Sequence, residues 1–82
     1  MGFSTKQMTG AEKALVTKMG ERIACLRAER QMPRSELAKH ADLHVQYLYD
    51  VEMGKRNVTI YVLFKIATVF ELNLSEFLDI EL

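Results

Sequence analysis

The stretch from residue 34 to residue 56, RSELAKHADLHVQYLYDVEMGKR, constrains the fold more than any other part of the chain. Its apolar residues follow a helical spacing that is broken once, between Ala41 and His44. These apolar residues are Leu37, Ala38, Ala41, Leu43, Leu48 and Val51. One helix cannot bury all of them, whereas two helices joined by a turn of roughly three to four residues can. The stretch therefore predicts two short helices that meet at a sharp corner.

The second helix of the pair is predicted over residues 44–52, with Leu48 and Val51 facing inward. In a helix-turn-helix arrangement this helix is free to enter a DNA groove. Its outer face would carry five candidate base-reading residues, His44, Val45, Gln46, Tyr49 and Asp50. Gln46 can pair with adenine and His44 can donate to guanine or phosphate, while Val45 can touch a thymine methyl group. Asp50 can accept from cytosine N4. An ordinary solvated face is the alternative, and exposed Val45 and Tyr49 count against it.

Length and cysteine usage predict one small cytoplasmic domain. The chain has 82 residues, enough for a single core. Its one cysteine, Cys25, excludes an intramolecular disulfide framework and fits a reducing compartment. The longest apolar run covers residues 60–64, so neither a membrane span nor a signal peptide is expected. His40 and His44 lie on either side of the predicted corner, which argues against a metal site.

Charge is unevenly distributed although the formal net charge is zero. Residues 1–40 hold eight basic and four acidic side chains, a net of +4, and residues 41–82 hold three and seven, a net of −4. A dipolar domain of this kind can present a basic face to DNA while its acidic end points away. A head-to-tail contact between subunits is the alternative explanation.

The N-terminal part of the chain predicts an arm followed by one long helix. Residues 1–10 are polar and are expected to form a loose, partly disordered arm ahead of the domain over residues 11–82. Thr9 and Glu12 have the spacing of a capping box that starts a helix. The apolar series Leu15, Met19, Ile23 and Leu26 carries this helix to about Arg30. Gly20 weakens it by about 1 kcal/mol relative to alanine, and a break at Gly20 is the alternative.

The remaining helices follow from local signals. Pro33 is expected in the first turn of the second helix, which would run to about Lys39, and Asp42 is expected to adopt the left-handed conformation at the corner. Residues 59–70 predict a fourth helix with Leu63, Ile66, Ala67 and Phe70 facing inward. Ser75 is expected to cap a final short helix. Tyr47 is expected to pack against a neighbouring helix.

The C-terminal end is rich in apolar residues. Leu72, Leu74, Phe77, Ile80 and Leu82 supply more apolar area than one short helix can bury, which predicts a symmetric homodimer interface. Two recognition helices would then lie about 34 Å apart on a palindromic operator. The alternative is that these residues complete the monomer core.

Four motifs give the chain a family resemblance. They are SELA at residues 35–38, YL at 47–48, ExGKRN at 52–57 and LFKIA at 63–67. Over residues 23–78 the chain resembles the Cro/CI (XRE-like) family of phage and bacterial transcription regulators. The resemblance implies an all-α, five-helix, lambda-repressor-like DNA-binding domain with a helix-turn-helix. The run LHxxYLxxVExGxRNVT is also similar to controller proteins of restriction-modification systems.

The resemblance also implies roles for individual residues. It places base reading on His44, Val45, Gln46 and Asp50, and an ion pair between Arg27 and Glu52 that is expected to be structural. Phosphate contacts would fall on Arg34, Lys55, Arg56, Asn57 and Thr59. Arg34, Pro33, Asp42 and Met53 depart from the residues usual in the family, and apolar Val45 with acidic Asp50 leaves few polar readers.

The favoured interpretation is a transcriptional regulator that binds double-stranded DNA as a homodimer, without a cofactor, metal, membrane or small-molecule substrate. The alternative is a helical protein-interaction module that keeps the scaffold but no longer binds DNA, which zero net charge would suit. An enzyme is not expected, because no set of nucleophile, base and orienting group and no phosphate-cradling glycine loop is present in the sequence.

Overall fold

A computed structural model describes residues 7–81 and places five helices in this part of the chain. They are α1 (Gly10–Glu29), α2 (Arg34–His40), α3 (Val45–Glu52), α4 (Ile60–Val69) and α5 (Leu74–Phe77). The predicted all-α architecture is confirmed. None of these helices has the length and hydropathy needed to cross a membrane. Residues 1–6 of the predicted arm, and Leu82 of the predicted interface, lie outside the described residues.

Helix α1 begins as the sequence predicts and runs without a break. The Thr9 hydroxyl accepts from the Glu12 amide at 3.1 Å, and the Glu12 carboxylate accepts from the Thr9 amide at 3.0 Å. The predicted inward stripe is wrong at its first member. Leu15 is 45% exposed, and Val16 takes its place in the core. Both positions fit the face of Met19, three or four residues on, and tertiary packing buries Val16.

The core lies where α1 crosses the α2–α3 corner and where α4 and α5 close over it. Ile23, Leu37, Leu48, Ile66 and Phe77 are fully buried at its centre. The predicted inward residues of α4, Leu63, Ile66, Ala67 and Phe70, are all buried. The core therefore holds α3 by its Leu48 and Val51 side and leaves the other side of this helix uncovered.

Four helices end in the same way, with a residue of positive φ two positions after the last helical residue. These residues are Gln31, Asp42, Gly54 and Glu71, with φ of 51°, 56°, 72° and 60°. In each case the next amide donates to a carbonyl five residues back, as Leu43 does to Ala38 at 2.8 Å and Lys55 to Asp50 at 2.8 Å. The left-handed conformation predicted for Asp42 is confirmed, and the same motif fixes where Lys55 leaves α3.

The corner is slightly displaced from its predicted position. Pro33 precedes α2 with an extended backbone (φ −62°, ψ 150°) instead of lying within its first turn, and its carbonyl accepts from the Glu36 and Leu37 amides. Helix α3 starts at Val45, because His44 is the extended residue before it. Both shifts are one residue and leave the two helices in the predicted arrangement.

The C-terminal end differs from its prediction in two respects. Asn73, not Ser75, caps α5, because its side chain accepts from the Glu76 amide at 2.8 Å, and Ser75 lies inside the helix. Phe77 is fully buried, with its ring centroid 6.4 Å from that of Phe70, so it cannot be an interface residue of the folded monomer. Leu72, Leu74 and Ile80 are half-buried against the same core. The prediction is therefore wrong for Phe77, whereas the place of these three partly exposed residues in an interface stays a prediction.

Candidate nucleic-acid interface

Helix α3 is held against α1 by close backbone packing. A Cβ atom on Gly20 would collide with the carbonyl oxygens of Val51 and Glu52, since the first of these would lie 2.5 Å away. Gly54, just beyond α3, approaches Thr17 of α1 and has a positive φ that favours glycine. Two glycines thus let the C-terminal end of α3 rest directly on α1, which fixes the direction of the exposed helical face.

Charged groups reinforce this contact from behind. Arg27 Nε donates to Glu52 Oε2 at 2.7 Å and Arg27 Nη2 to Glu52 Oε1 at 2.9 Å, while Nη1 donates to the Met32 carbonyl at 2.9 Å. Arg34 Nε also donates to Glu52 Oε1, at 3.0 Å. The Glu52 side chain is 2% exposed, so its charge is buried but shared between two guanidinium groups. Hydrogen bonding to Glu52 raises the pKa of Arg27, which further favours its cationic form.

The five predicted base-reading residues lie together on the uncovered side of the α2–α3 unit. Val45 is 49% and Tyr49 36% exposed, and His44 and Gln46 are also exposed. Asp50 is half-buried. Tyr47 packs against the core, as predicted. The structure thus forms one contiguous surface, which we call the α3 face, from His44, Val45, Gln46, Tyr49 and Asp50.

Two of these residues are bonded to each other, which the sequence analysis did not predict. Gln46 Nε2 donates to Asp50 Oδ1 at 3.1 Å, one helical turn apart. Arg56 Nη1 lies 3.9 Å from Asp50 Oδ2, and the Arg56 guanidinium stacks 5.0 Å from the centre of the Tyr47 ring. The i, i+4 spacing of Gln46 and Asp50 was a usable signal. No sequence signal predicted the contact with Arg56, because it depends on the turn at Gly54.

Two cationic side chains also lie over the Tyr49 ring. The Arg34 guanidinium lies 5.0 Å and the Lys55 ammonium 5.6 Å from the centre of its ring. Arg34 was predicted to contact phosphate, but its Glu52 bonds occupy much of its donor capacity and its side chain is 33% exposed. The exposed cations at the edge of the α3 face are therefore mainly Lys55 and Arg56.

The other two predicted phosphate contacts are Thr59, which has a capping role, and Asn57, which is only partly exposed. The Thr59 hydroxyl caps α4 by accepting from the Val62 amide at 3.2 Å, which leaves its proton free to donate. Asn57 is half-buried and lines a groove together with Leu15 and Val58. Within residues 7–81, no cluster of three or more His, Cys, Asp or Glu side chains has the arrangement of a metal site.

Comparisons with known proteins agree with this geometry. The helix-turn-helix family model HTH_3 matches residues 24–77. The restriction-modification controller protein C.AhdI from Aeromonas hydrophila is 31% identical with a TM-score of 0.75, over 78% of this chain and 97% of that one. The controller protein C.Esp1396I is 30% identical with a TM-score of 0.71, over 78% and 87%.

A further similar structure is that of SinR, a master regulator for biofilm formation, solved in complex with DNA. It is 32% identical with a TM-score of 0.68, over 74% of this chain and 98% of that one. Comparison with curated protein sequences gave no match. The family model covers well over half of the chain and includes both helices of the corner, so this protein belongs to the XRE-like helix-turn-helix family HTH_3.

Proposed function

We propose that this protein is a transcriptional regulator that binds double-stranded DNA by placing α3 in the major groove. The observation that carries the proposal is the α3 face, an uncovered helical surface with exposed Lys55 and Arg56 at its edge. An α-helix fits the major groove, and side chains on such a face reach base edges while neighbouring cations contact phosphates. SinR, which has this fold, was solved with DNA bound.

The charge distribution is compatible with this role despite the net charge of zero. Glu52 is neutralised by Arg27 and Arg34 behind α3, so its carboxylate does not face a bound duplex. Lys55 and Arg56 can reach phosphates because both side chains are exposed, although Arg56 also lies 3.9 Å from Asp50. Phosphate contacts position the helix, and specificity then depends on the side chains of the α3 face.

We further propose a homodimer that binds a palindromic operator, with the interface on α4 instead of the C-terminal end. Ile60, Tyr61 and Phe64 are 60%, 66% and 57% exposed, although they are large and apolar and lie on one ten-residue helix. An apolar patch of this kind is typical of an interaction surface. Since α4 directly follows the loop that carries Lys55 and Arg56, its partner would bring a second α3 close to the same duplex.

The shape and charge beside α4 favour a second copy as the partner. Tyr61 and Phe64 border a groove between α2 and α4 of about 690 Å³. Glu36 and Asp42 lie at this groove together with His40 and Lys65, so both signs of charge are present. A twofold axis can set the protruding Phe64 of each copy into the groove of the other and pair each acid with a base.

The DNA-binding proposal is tested with Lys55→Ala/Arg56→Ala and a selection of bound sequences from random duplexes. Losing two phosphate contacts should weaken binding to the enriched duplex and reduce the slope of log K against log salt by about 1.8. The control is Lys13→Ala/Lys18→Ala, which removes two exposed charges from α1. An unchanged slope, or no binding to any duplex at low salt, would instead favour a protein-interaction module.

The dimer is tested separately by sedimentation of Phe64→Ser against the control Leu15→Ser, which makes a similarly exposed apolar residue of α1 polar. The parent chain and the control should sediment as dimers, and Phe64→Ser should be monomeric and bind single half-sites. A parent chain that remains monomeric when bound to its enriched duplex would refute the dimer and leave DNA binding intact.

A further inference from the structure

Asp50 is an acidic side chain on a surface that, in the proposed function, faces a polyanion. We propose that Asp50 determines specificity by penalty: its charge lowers affinity for DNA in general and is offset only where a base amino group lies opposite. This inference rests on the proposed function and adds a reason why the protein would bind operator DNA more tightly than other DNA. It concerns the balance between specific and non-specific binding, in addition to the identity of one base.

The position of Asp50 gives its charge two effects. First, it is 3.9 Å from the Arg56 guanidinium, so it holds one of the two exposed cations of the loop in the free protein. Second, its carboxylate is 23% exposed on the α3 face, one turn from Gln46. A duplex that approaches this face therefore meets both the carboxylate and an Arg56 that is already paired.

The surrounding charges determine how large this effect can be. Glu52, the other carboxylate of α3, is buried and bonded to Arg27 and Arg34. Lys55 lies over Tyr49 on the same face and has no acid within the salt-bridge distance of 4.0 Å among the described contacts. Asp50 is thus the acid whose negative charge acts outward, and it opposes two exposed cations. In a domain without excess positive charge, removal of one such acid changes the balance substantially.

The balance differs between operator and non-operator DNA. On arbitrary sequence, Asp50 approaches acceptor-rich base edges and phosphates, and the DNA offers its carboxylate no further donor in return for lost solvation. Opposite a cytosine or adenine amino group it accepts a hydrogen bond, and Arg56 is then released to a phosphate. Discrimination arises because the same side chain is repelled in the first case and bonded in the second.

The test compares Asp50→Asn with Glu71→Gln. The first change keeps the size of the side chain and the acceptor for Gln46 but removes the charge. The second removes the same charge from an exposed residue after the far end of α4. Binding is measured to a short duplex of arbitrary sequence and to the duplex enriched from a random pool, over a range of salt concentrations. Thermal melting shows that each variant is folded.

Asp50→Asn should bind the arbitrary duplex about five- to tenfold more tightly at 0.1 M salt, with a slope steeper by about 0.9, because Arg56 gains a phosphate. The ratio of specific to non-specific affinity should fall by at least the same factor. Glu71→Gln should change neither quantity by more than the small effect of a distant, screened charge.

Equal effects of the two variants on slope and ratio would overturn the role of Asp50 while the proposed function stands. A parent chain that binds no duplex would overturn both.

Discussion

Gly20 of α1 lies directly beneath Glu52, the last residue of α3. The contact leaves no room for a side chain, because a Cβ atom on Gly20 would meet the Glu52 carbonyl oxygen and lie 2.5 Å from that of Val51. Glycine at the middle of a helix is unfavourable by about 1 kcal/mol relative to alanine, so its presence here needs a compensating contact. The contact fixes the end of α3 and brings Glu52 within reach of Arg27.

Gly20→Ala should therefore destabilise the protein, even though alanine is the better helix former. Backbone carbonyls cannot move aside as a flexible side chain can, and overpacking of this kind costs about 1–3 kcal/mol. For a domain of this size each kcal/mol lowers the melting temperature by about 4–8 °C. The control is Gly10→Ala, where nothing lies within 4 Å of the added Cβ. A higher melting temperature for Gly20→Ala than for the parent would show that the close contact is wrong.

Arg27 and Arg34 share Glu52 but should contribute unequally to stability. Arg27 makes two bonds to the carboxylate and one to the Met32 carbonyl, and its side chain is 16% exposed against 33% for Arg34. Breaking a buried pair costs about 3–5 kcal/mol, and the remaining arginine should keep Arg27→Met near the lower end. Arg34→Met should cost less, about 1 kcal/mol, since Arg34 is the more exposed partner and Arg27 still neutralises Glu52. Urea unfolding measures both, and equal losses would contradict this division.

Local signals predicted the helices of this fold because they depend on neighbouring residues alone. The Thr9–Glu12 capping box, the break before His44 and the inward residues of α4 are all set within a few positions in the sequence. The predictions were wrong where two residues close in the sequence could each fill the same structural role. Asn73 and Ser75 are both good caps, and the bonded network of Asn73 with Glu76 decided between them. Leu15 and Val16 fit the same helix, and tertiary packing selected Val16.

The position of the candidate site on α3 was predictable from the sequence, and its internal contacts were not. Helical spacing in residues 44–52 put five residues on the outer face, and the structure brings them together there. Their role in reading bases stays a prediction. The pairing of Asp50 with Arg56, and of Arg34 with Glu52, depends on where the turns at Gly54 and Gln31 direct the chain. Gln31 has a positive φ of 51° that no glycine signalled. Such long-range contacts follow from backbone geometry, which residue spacing does not encode.

The burial of Phe77 at the C-terminal end also depends on long-range packing, and it gives a prediction. Phe77 is fully buried, and the Arg22 side chain binds the Phe77 carbonyl at 3.1 Å and that of Glu76 at 2.8 Å. Phe77→Ala should cost about 3–5 kcal/mol in the free energy of unfolding, as deletion of a core aromatic ring does. Phe64→Ala, at a position 57% exposed, is the matched control and should change stability by less than about 0.5 kcal/mol. Both are measured at concentrations where the chain is monomeric. A small loss for Phe77→Ala would restore the C-terminal end as a candidate interface.

Tyr47 should make stability depend on alkaline pH. Burial raises the pKa of its phenol, and the nearby Arg56 lowers it by a smaller amount. The phenol is protonated in both states below about pH 10, the ordinary tyrosine value, so this contribution is complete there. Above that pH the unfolded chain ionises first and binds fewer protons than the native state, so stability falls as pH rises.

Tyr47→Phe removes the phenol and with it this dependence on pH. The free energy of unfolding of the parent should therefore fall relative to that of Tyr47→Phe as pH rises across about pH 8–11. Tyr61→Phe is the control for removal of a phenol from the surface, since Tyr61 is 66% exposed. A gap between parent and Tyr47→Phe that stays constant over the whole range would mean that burial does not alter the ionisation of Tyr47.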